Sequence, residues 1–280
     1  MKFALFLSLP ICIFACVQSD DPDDTDTDDL IEPLPTTAER RLLHEVFTGS
    51  NCGPCYDSSE RLTEVLDARP ELYTVIKYQI GSDPYISREA VRRRMFYLPE
   101  EAETYAIPYV HADGVFDFHP NLMNDGAGYT TDDFDIYRAP DAVVELKVTQ
   151  EIADQTVTAR VEMMALQELT SPDLLLHLAV IEKVTTQNVG SNGQEEFHYV
   201  FKKWIQDGGT PWTDVVVHES RTETLSYTFV GEYSSETGIA NPVNHSVEHT
   251  VEEFEDLAVV AFVQDDNTLE VFQSAWTITH

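Results

Sequence analysis

The hydrophobic pattern changes character about halfway along the chain. Between residues 40 and 137, short apolar runs predict strands at Leu42–Phe47 and Leu72–Ile80. Apolar residues that recur every three or four positions predict a helix over Tyr56–Ala68, and a second over Ser87–Tyr97 begins at a serine N-cap. This alternation of strands and helices is typical of an α/β domain.

From residue 142 onward the pattern is that of strands alone. Segments of mostly alternating apolar and polar residues are separated by polar turns, which is typical of an antiparallel, immunoglobulin-like β-sandwich. The segments are Val143–Val148, Thr156–Met163, Leu174–Ile181, Thr224–Val230, Leu257–Val263 and Leu269–Trp276. The fold class predicted from the sequence is therefore α/β plus all-β, with an α/β domain over residues 38–138 and a β-sandwich over residues 140–280.

The first residues predict export of the chain. Lys2 precedes an apolar run, Phe3–Ala15, which has the length of a signal-peptide core and is too short to span a bilayer. Residues 13–16, Ile-Phe-Ala-Cys, resemble the lipobox of bacterial lipoproteins. That resemblance implies cleavage of a signal peptide over residues 1–15 and acylation of Cys16, whose several acyl chains would anchor the protein stably to a membrane. An ordinary secretory signal is the alternative.

Acidic residues dominate the charge of the chain. Seven aspartates lie within residues 19–29, and their mutual repulsion predicts an acidic disordered tether over residues 16–37. The whole chain has 17 basic and 50 acidic side chains, a net charge of −33. Nucleic acid is therefore not expected as a partner, because its phosphates would be repelled.

The motif Cys52-Gly-Pro-Cys55 is the strongest chemical signal in the sequence. It follows a predicted strand and opens a predicted helix, whose N-terminal dipole favours a thiolate on Cys52 with a pKa of about 7. If Cys12 leaves with the signal peptide and Cys16 is acylated, no other thiol remains. We therefore expect a redox-active cysteine pair, with a static structural disulfide as one alternative.

Half of a zinc site is the other alternative for this cysteine pair. Zinc would need two further ligands, and the sequence offers no second C-x-x-C and no H-x-x-H motif nearby. We accordingly predict no metal, and no cofactor other than the redox-active disulfide of Cys52 and Cys55.

Residues 42–118 resemble the thioredoxin fold. The likeness is carried by the strand Leu42–Phe47, the Cys-Gly-Pro-Cys motif and the dipeptide Ile107-Pro108, which opens a predicted hairpin that ends at Phe118. The resemblance implies that Pro108 is cis and lies against the cysteines, and that Ile107 offers its backbone to a substrate chain. The site residues implied are, for catalysis, Cys52 and Cys55 and, for substrate positioning, Gly53, Pro54, Ile107 and Pro108.

The chain as a whole resembles a family of bacterial outer-membrane lipoproteins that pair a thioredoxin-like domain with a C-terminal β-sandwich. The shared segments are Glu45–Gly49, Ile107–Gly114 and Asp256–Asp265. The resemblance implies a lipid-anchored protein of the bacterial cell envelope, on the outer membrane, facing the periplasm or the cell surface. The activity is predicted from the thioredoxin-like cysteine motif and not from this family: we expect thiol–disulfide exchange through Cys52 and Cys55, with envelope proteins that contain cysteines or disulfides as partners.

Two departures from thioredoxins bear on this function. Asn51 stands where thioredoxins have a tryptophan, and Val46 stands where they have a buried aspartate. Glu45 is one residue away and should face the other side of its strand, so the proton acceptor for Cys55 is not evident. The alternative function is therefore a surface binding or assembly lipoprotein in which the cysteine pair is only a structural disulfide.

A run of arginines stands out in this acidic chain. It is either a docking surface for an acidic partner or an internal offset for nearby glutamates, Glu100, Glu101 and Glu103, or for the acidic second domain. The arginines are Arg88, Arg92, Arg93 and Arg94.

Overall fold

A computed structural model of the chain describes residues 34–98, 106–238 and 240–279. The predicted signal peptide (1–15), the predicted lipidation site Cys16, most of the predicted tether and Glu100, Glu101 and Glu103 lie outside the described residues. The described part belongs to one compact unit of mixed α/β, strand-rich structure with several sheets. Within it, every helix is too short or too polar to cross a membrane.

The helices and strands that the sequence predicts over residues 42–118 are present, including a serine cap in which the Ser87 side chain accepts a hydrogen bond from the backbone N–H of Ala90. The helices Met123–Gly126 and Thr131–Arg138 were not predicted. In chain order the elements are β1 (Leu42–Thr48), α1 (Gly53–Asp67), β2 (Tyr73–Gln79), α2 (Arg88–Tyr97), β3 (Tyr109–Ala112), β4 (Phe116–Phe118), α3 (Met123–Gly126), α4 (Thr131–Arg138), β5 (Val144–Ala153), β6 (Thr156–Ala165), β7 (Leu174–Thr185), β8 (Phe197–Trp204), β9 (Thr210–Pro211), β10 (Ser220–Thr228), β11 (Glu232–Tyr233), β12 (Glu248–His249), a 3₁₀ turn (Phe254–Asp256), β13 (Leu257–Asp265) and β14 (Val271–Trp276).

The largest sheet has nine strands and takes strands from both halves of the chain. Eight of them run in the order β14-β13-β7-β8-β2-β1-β3-β4, and β9 pairs with β7. Strands β1 and β2 are parallel, as their connection through helix α1 allows, whereas β1 and β3 are antiparallel. The two halves meet where Lys77 of β2 pairs with Val200 of β8. The predicted domain boundaries, 38–138 and 140–280, stay a prediction.

A second, antiparallel sheet of three strands, in the order β10-β6-β5, packs on the part of the large sheet that the second half of the chain supplies. The alternate residues Val144, Leu146 and Val148 of β5 are all buried. They share one hydrophobic core with residues of the large sheet, such as Leu176 of β7 and Val259 of β13. The two sheets therefore lie face to face.

Side-chain alternation along β1 decides what surrounds the cysteine motif. Val46 lies on the face covered by α1, in a core that includes Leu62 and Val65, whereas Phe47 lies on the face covered by α2. Glu45 shares the face of Phe47, because residues two apart on a strand point the same way. The expectation that Glu45 and Val46 face opposite sides of the sheet is confirmed.

Candidate functional site

The two cysteines occupy the N-terminus of α1 and differ in exposure. Cys52 is the N-cap residue, in an extended conformation, and Pro54 lies in the first turn, where its missing N–H leaves no hydrogen bond unmade. Cys52 and Cys55 form a disulfide with their Cα atoms 5.3 Å apart. Cys52 is half-buried and Cys55 is only 1% exposed. One cysteine is thus reachable from solvent and the other is covered, which is the asymmetry that stepwise exchange requires.

The dipeptide Ile107-Pro108 lies beside the disulfide. Its peptide bond is cis, as the likeness to thioredoxins implies. The carbonyl oxygen of Ile107 is 3.6 Å from Sγ of Cys52, and Pro108 lines the same cavity as Cys55. Gly53 and Pro54 are exposed next to the cysteines. The structure therefore brings together all the predicted catalytic and substrate-positioning residues, and their roles stay a prediction.

A small cavity lies behind Cys55, between α1 and the sheet. Its volume of about 10 Å³ is roughly the room that one water molecule needs. Two polar groups in its wall come from α1: the Ser58 hydroxyl, which is buried and has no hydrogen-bond partner among the described residues, and the Ser59 hydroxyl. The full lining is Val46, Thr48, Cys55, Ser58, Ser59, Lys77, Pro108, Pro120, Gln194 and Phe197.

Lys77 is the functional candidate that the sequence analysis missed. It lies opposite Val46 in the register of β1 and β2, and its ammonium group donates a hydrogen bond of 2.9 Å to the Ser59 hydroxyl. The residue is only 6% exposed, and burial lowers its pKa from 10.5 to about 8. The signal that could have found it is the parallel register, which places Lys77 on the face of the sheet that α1 covers.

Glu45 is occupied on the opposite face of the sheet. It is fully buried, accepts two hydrogen bonds of 2.7 Å from Arg93, and accepts others from the hydroxyls of Tyr78 and Tyr97. Burial alone would raise the pKa of Glu45, but the Arg93 guanidinium and these hydrogen bonds outweigh it, so the pKa is lowered. Glu45 is thus a paired carboxylate on the side away from the cysteines.

This pairing corrects the interpretation of the arginine run. Arg93 is neither a docking residue nor an offset for the second half of the chain, because it is buried against Glu45 of β1. Arg92 does form an exposed ion pair with Asp207, which lies in the second half.

A loop from the second half of the chain packs on the cysteine motif. This β7–β8 loop (residues 186–196) is held at Asn51, whose side-chain oxygen accepts a 3.0 Å hydrogen bond from the backbone N–H of Ser191. Gly190 touches the Ser50 backbone so closely that a Cβ would lie 2.5 Å from the Ser50 carbonyl oxygen. The position where thioredoxins carry tryptophan therefore serves here to attach a loop.

Among the residues that the structure describes, no group of three or more His, Cys, Asp or Glu side chains could hold a metal ion.

Comparisons with known proteins show the fold and leave the family open. No protein-family model matches the chain, and no curated protein matches it. Among solved structures, HBP35 of Porphyromonas gingivalis matches with a TM-score of 0.60 at 14% identity, over 85% of this chain and 74% of that one. The protein AGR_C_4864 from Agrobacterium tumefaciens matches with a TM-score of 0.50 at 13% identity, over 85% of this chain and 94% of that one.

A domain of the outer membrane lipoprotein Omp28 from Porphyromonas gingivalis also matches. It has a TM-score of 0.30 at 17% identity, over 49% of this chain and 88% of that one. This score is too low to support an argument, and identities of this size carry the fold alone.

Proposed function

We propose that this chain is a lipoprotein of the bacterial cell envelope whose thioredoxin-like domain performs thiol–disulfide exchange through Cys52 and Cys55. The observation that carries the proposal is the site itself. Cys52 is half-buried at the N-cap position of a helix and forms a disulfide with the buried Cys55. The cis dipeptide Ile107-Pro108 lies beside this disulfide. The helix N-terminus stabilises a thiolate on the accessible cysteine.

Exchange proceeds in two displacements. In the reduced protein the Cys52 thiolate attacks a disulfide of the partner, and one partner sulfur leaves as a thiolate. Cys55, as a thiolate, then attacks Sγ of Cys52, so that the internal disulfide forms and the second partner sulfur leaves. Two electrons pass from the cysteine pair to the partner. The same steps in reverse oxidise a partner dithiol, and the two reduction potentials decide the direction.

The backbone beside the cysteines positions the partner. The carbonyl oxygen of Ile107 lies 3.6 Å from Sγ of Cys52, and Gly53 and Pro54 are exposed beside that sulfur. An extended segment of an envelope protein that contains a cysteine or disulfide fits this surface, because it needs only backbone contacts next to the reacting sulfur.

The proposed location rests on the residues before the tether. Removal of residues 1–15 and acylation of Cys16 would hold the folded part at a membrane, at the end of an acidic tether over residues 16–37. Mass spectrometry of the mature protein tests this: we expect an acylated N-terminal Cys16. An unmodified N-terminus at another residue would contradict the anchor.

Trapping in cells tests the exchange. The variant Cys55→Ser keeps the attacking cysteine and removes the resolving one, so we expect it to accumulate a mixed disulfide with its partner that thiol reductants release. The matched control is Cys52→Ser, which keeps the buried cysteine and should trap nothing.

The alternative is a binding or assembly lipoprotein whose disulfide only stabilises the fold. The packing of the β7–β8 loop on the cysteine motif favours it, since that loop restricts one side of the site. This alternative predicts that Cys55→Ser traps no partner and that both serine variants lower the unfolding temperature equally.

A further inference from the structure

The second displacement needs a group that takes the proton of Cys55. A buried thiol keeps its proton because burial disfavours the thiolate, and only the thiolate attacks a disulfide. Cys55 is only 1% exposed, so bulk water reaches it poorly. Glu45 is excluded, because it is paired with Arg93 on the other face of the sheet. Val46, on the correct face, has no group that accepts a proton.

Lys77 is the ionisable residue that lines the cavity behind Cys55 together with Cys55 itself. Of the residues that line it, only Cys55 and Lys77 carry side chains that titrate near neutral pH or above. The Ser59 hydroxyl accepts a 2.9 Å hydrogen bond from the Lys77 ammonium group. The Ser58 hydroxyl, which has no partner among the described residues, belongs to a residue that lines the same cavity. A buried hydroxyl without a partner is costly unless it serves a polar neighbour or a water molecule.

The surroundings of Lys77 favour loss of its proton. Burial is the cause that lowers its pKa to about 8. Among the described residues, Cys55 from α1 shares its cavity, and His198 from β8 is near enough that the Lys77 charge, after burial, lowers the pKa of His198. Strand β1 contributes Val46 and Thr48, which do not titrate. A useful fraction of Lys77 is therefore neutral near physiological pH, as a general base requires.

We infer that Lys77 is the proton acceptor for Cys55, and that the Ser58 hydroxyl completes the polar path between them across the cavity. This inference rests on the proposed exchange function and assigns its missing base. In the mixed disulfide, the Cys55 thiol transfers its proton to the neutral Lys77 amine. The resulting thiolate attacks Sγ of Cys52, the internal disulfide forms, and the partner sulfur leaves with the electron pair. In the reverse direction the Lys77 ammonium group returns the proton to the departing Cys55 sulfur.

The test separates the two displacements. The reduced protein reacts with one equivalent of 5,5′-dithiobis(2-nitrobenzoate): attack by Cys52 releases a first thionitrobenzoate, and attack by Cys55 releases a second. Stopped-flow absorbance follows both releases between pH 5.5 and 9.5. In the wild type we expect the rate of the second release to rise with pH through an inflection near pH 8, where half of Lys77 is neutral, and to level off above about pH 9.

Two variants remove the base. In Lys77→Met and Lys77→Gln the second release should slow by about 100-fold at pH 7 and lose its inflection near pH 8, whereas the first release should change little. Either variant suffices if the other fails to fold. Lys147→Met is the matched control, because it removes an exposed lysine of β5 with the same change of net charge. His198→Gln controls for the neighbouring imidazole and should keep the inflection.

Three results of these measurements would each overturn a proposal. A second release that keeps its rate and its pH profile in both Lys77 variants overturns the role of Lys77 and leaves exchange intact. Loss of the inflection in His198→Gln also overturns it. A wild-type protein that releases only one thionitrobenzoate, with no internal disulfide formed, overturns the exchange function itself.

Discussion

At the scale of single residues, the protein buries Lys77 and Glu45, although moving a charge out of water costs free energy. Lys77 is buried with a hydroxyl as its hydrogen-bond partner, and Glu45 is buried with a guanidinium. The two buried charges affect the free energy of unfolding differently. A paired buried charge is expensive to break apart, whereas a buried charge held only by a hydroxyl costs stability for as long as it stays charged.

The variant Lys77→Met should therefore be more stable than the wild type near neutral pH. Because the pKa of Lys77 is about 8 when folded and 10.5 when exposed, its burial costs most below pH 8, and the cost disappears as the pH rises to 10.5. The penalty is up to about 3 kcal/mol at pH 7 and should fall below about 1 kcal/mol at pH 10. Urea unfolding at both pH values measures it, and a difference independent of pH would contradict this account.

The ion pair of Glu45 and Arg93 predicts the opposite response. Arg93→Met leaves a buried carboxylate without its partner and should lower the free energy of unfolding by about 3–5 kcal/mol. Arg92→Met is the matched control, since its pair with Asp207 is more than half exposed and should contribute less than about 1 kcal/mol. Equal losses in the two variants, measured by urea unfolding, would show that burial of the Glu45 pair does not matter.

At the scale of elements, the β7–β8 loop limits access to the buried cysteine. Gln194 and Phe197, at the end of this loop and the start of β8, line the cavity behind Cys55. The loop is fixed by Asn51 and by the contact of Gly190 with the Ser50 backbone.

A methyl group at position 190 should displace this loop. In Gly190→Ala the new Cβ would lie 2.5 Å from the backbone oxygen of Ser50, which cannot rotate away as a side chain could. We expect faster alkylation of Cys55 by iodoacetamide in the reduced variant, read by mass spectrometry. Gly238→Ala is the control, because its Cβ would meet nothing within 4 Å. An unchanged alkylation rate in Gly190→Ala would show that the loop does not cover the site.

The elements also show what a sequence can and cannot predict. Strands β1 and β2 and helices α1 and α2 were predictable from local signals: apolar runs for the strands, an apolar period for α1 and the Ser87 cap for α2. Strand β8 was not, because Lys202 and Lys203 interrupt its apolar run. Both are buried, and they form ion pairs with Glu182 of β7 and Glu89 of α2, which are contacts between separate elements. The cysteine motif was predictable from local residues, whereas the position of Lys77 behind it depends on strand register.

At the scale of the whole molecule, strands from both halves of the chain form one sheet. Besides the pairing of Lys77 with Val200, the halves are joined by buried contacts such as the hydrogen bond between Thr74 and Ser274. Strand order of this kind is set by contacts between distant residues, which local patterns do not contain.

We therefore expect the folded part to unfold as one unit. Differential scanning calorimetry of the lipid-free protein should show a single transition whose calorimetric and van't Hoff enthalpies agree. Two separated transitions, each removed by deleting one half, would contradict this expectation and favour independent domains.

The reduction potential of the Cys52–Cys55 pair in the lipid-free protein, measured by equilibration with dithiothreitol, tests the central claim most directly. Exchange predicts a potential of about −270 mV or higher, within the range of proteins that form and break their disulfide in each cycle. A potential well below about −300 mV would mark a structural disulfide and contradict the proposed function.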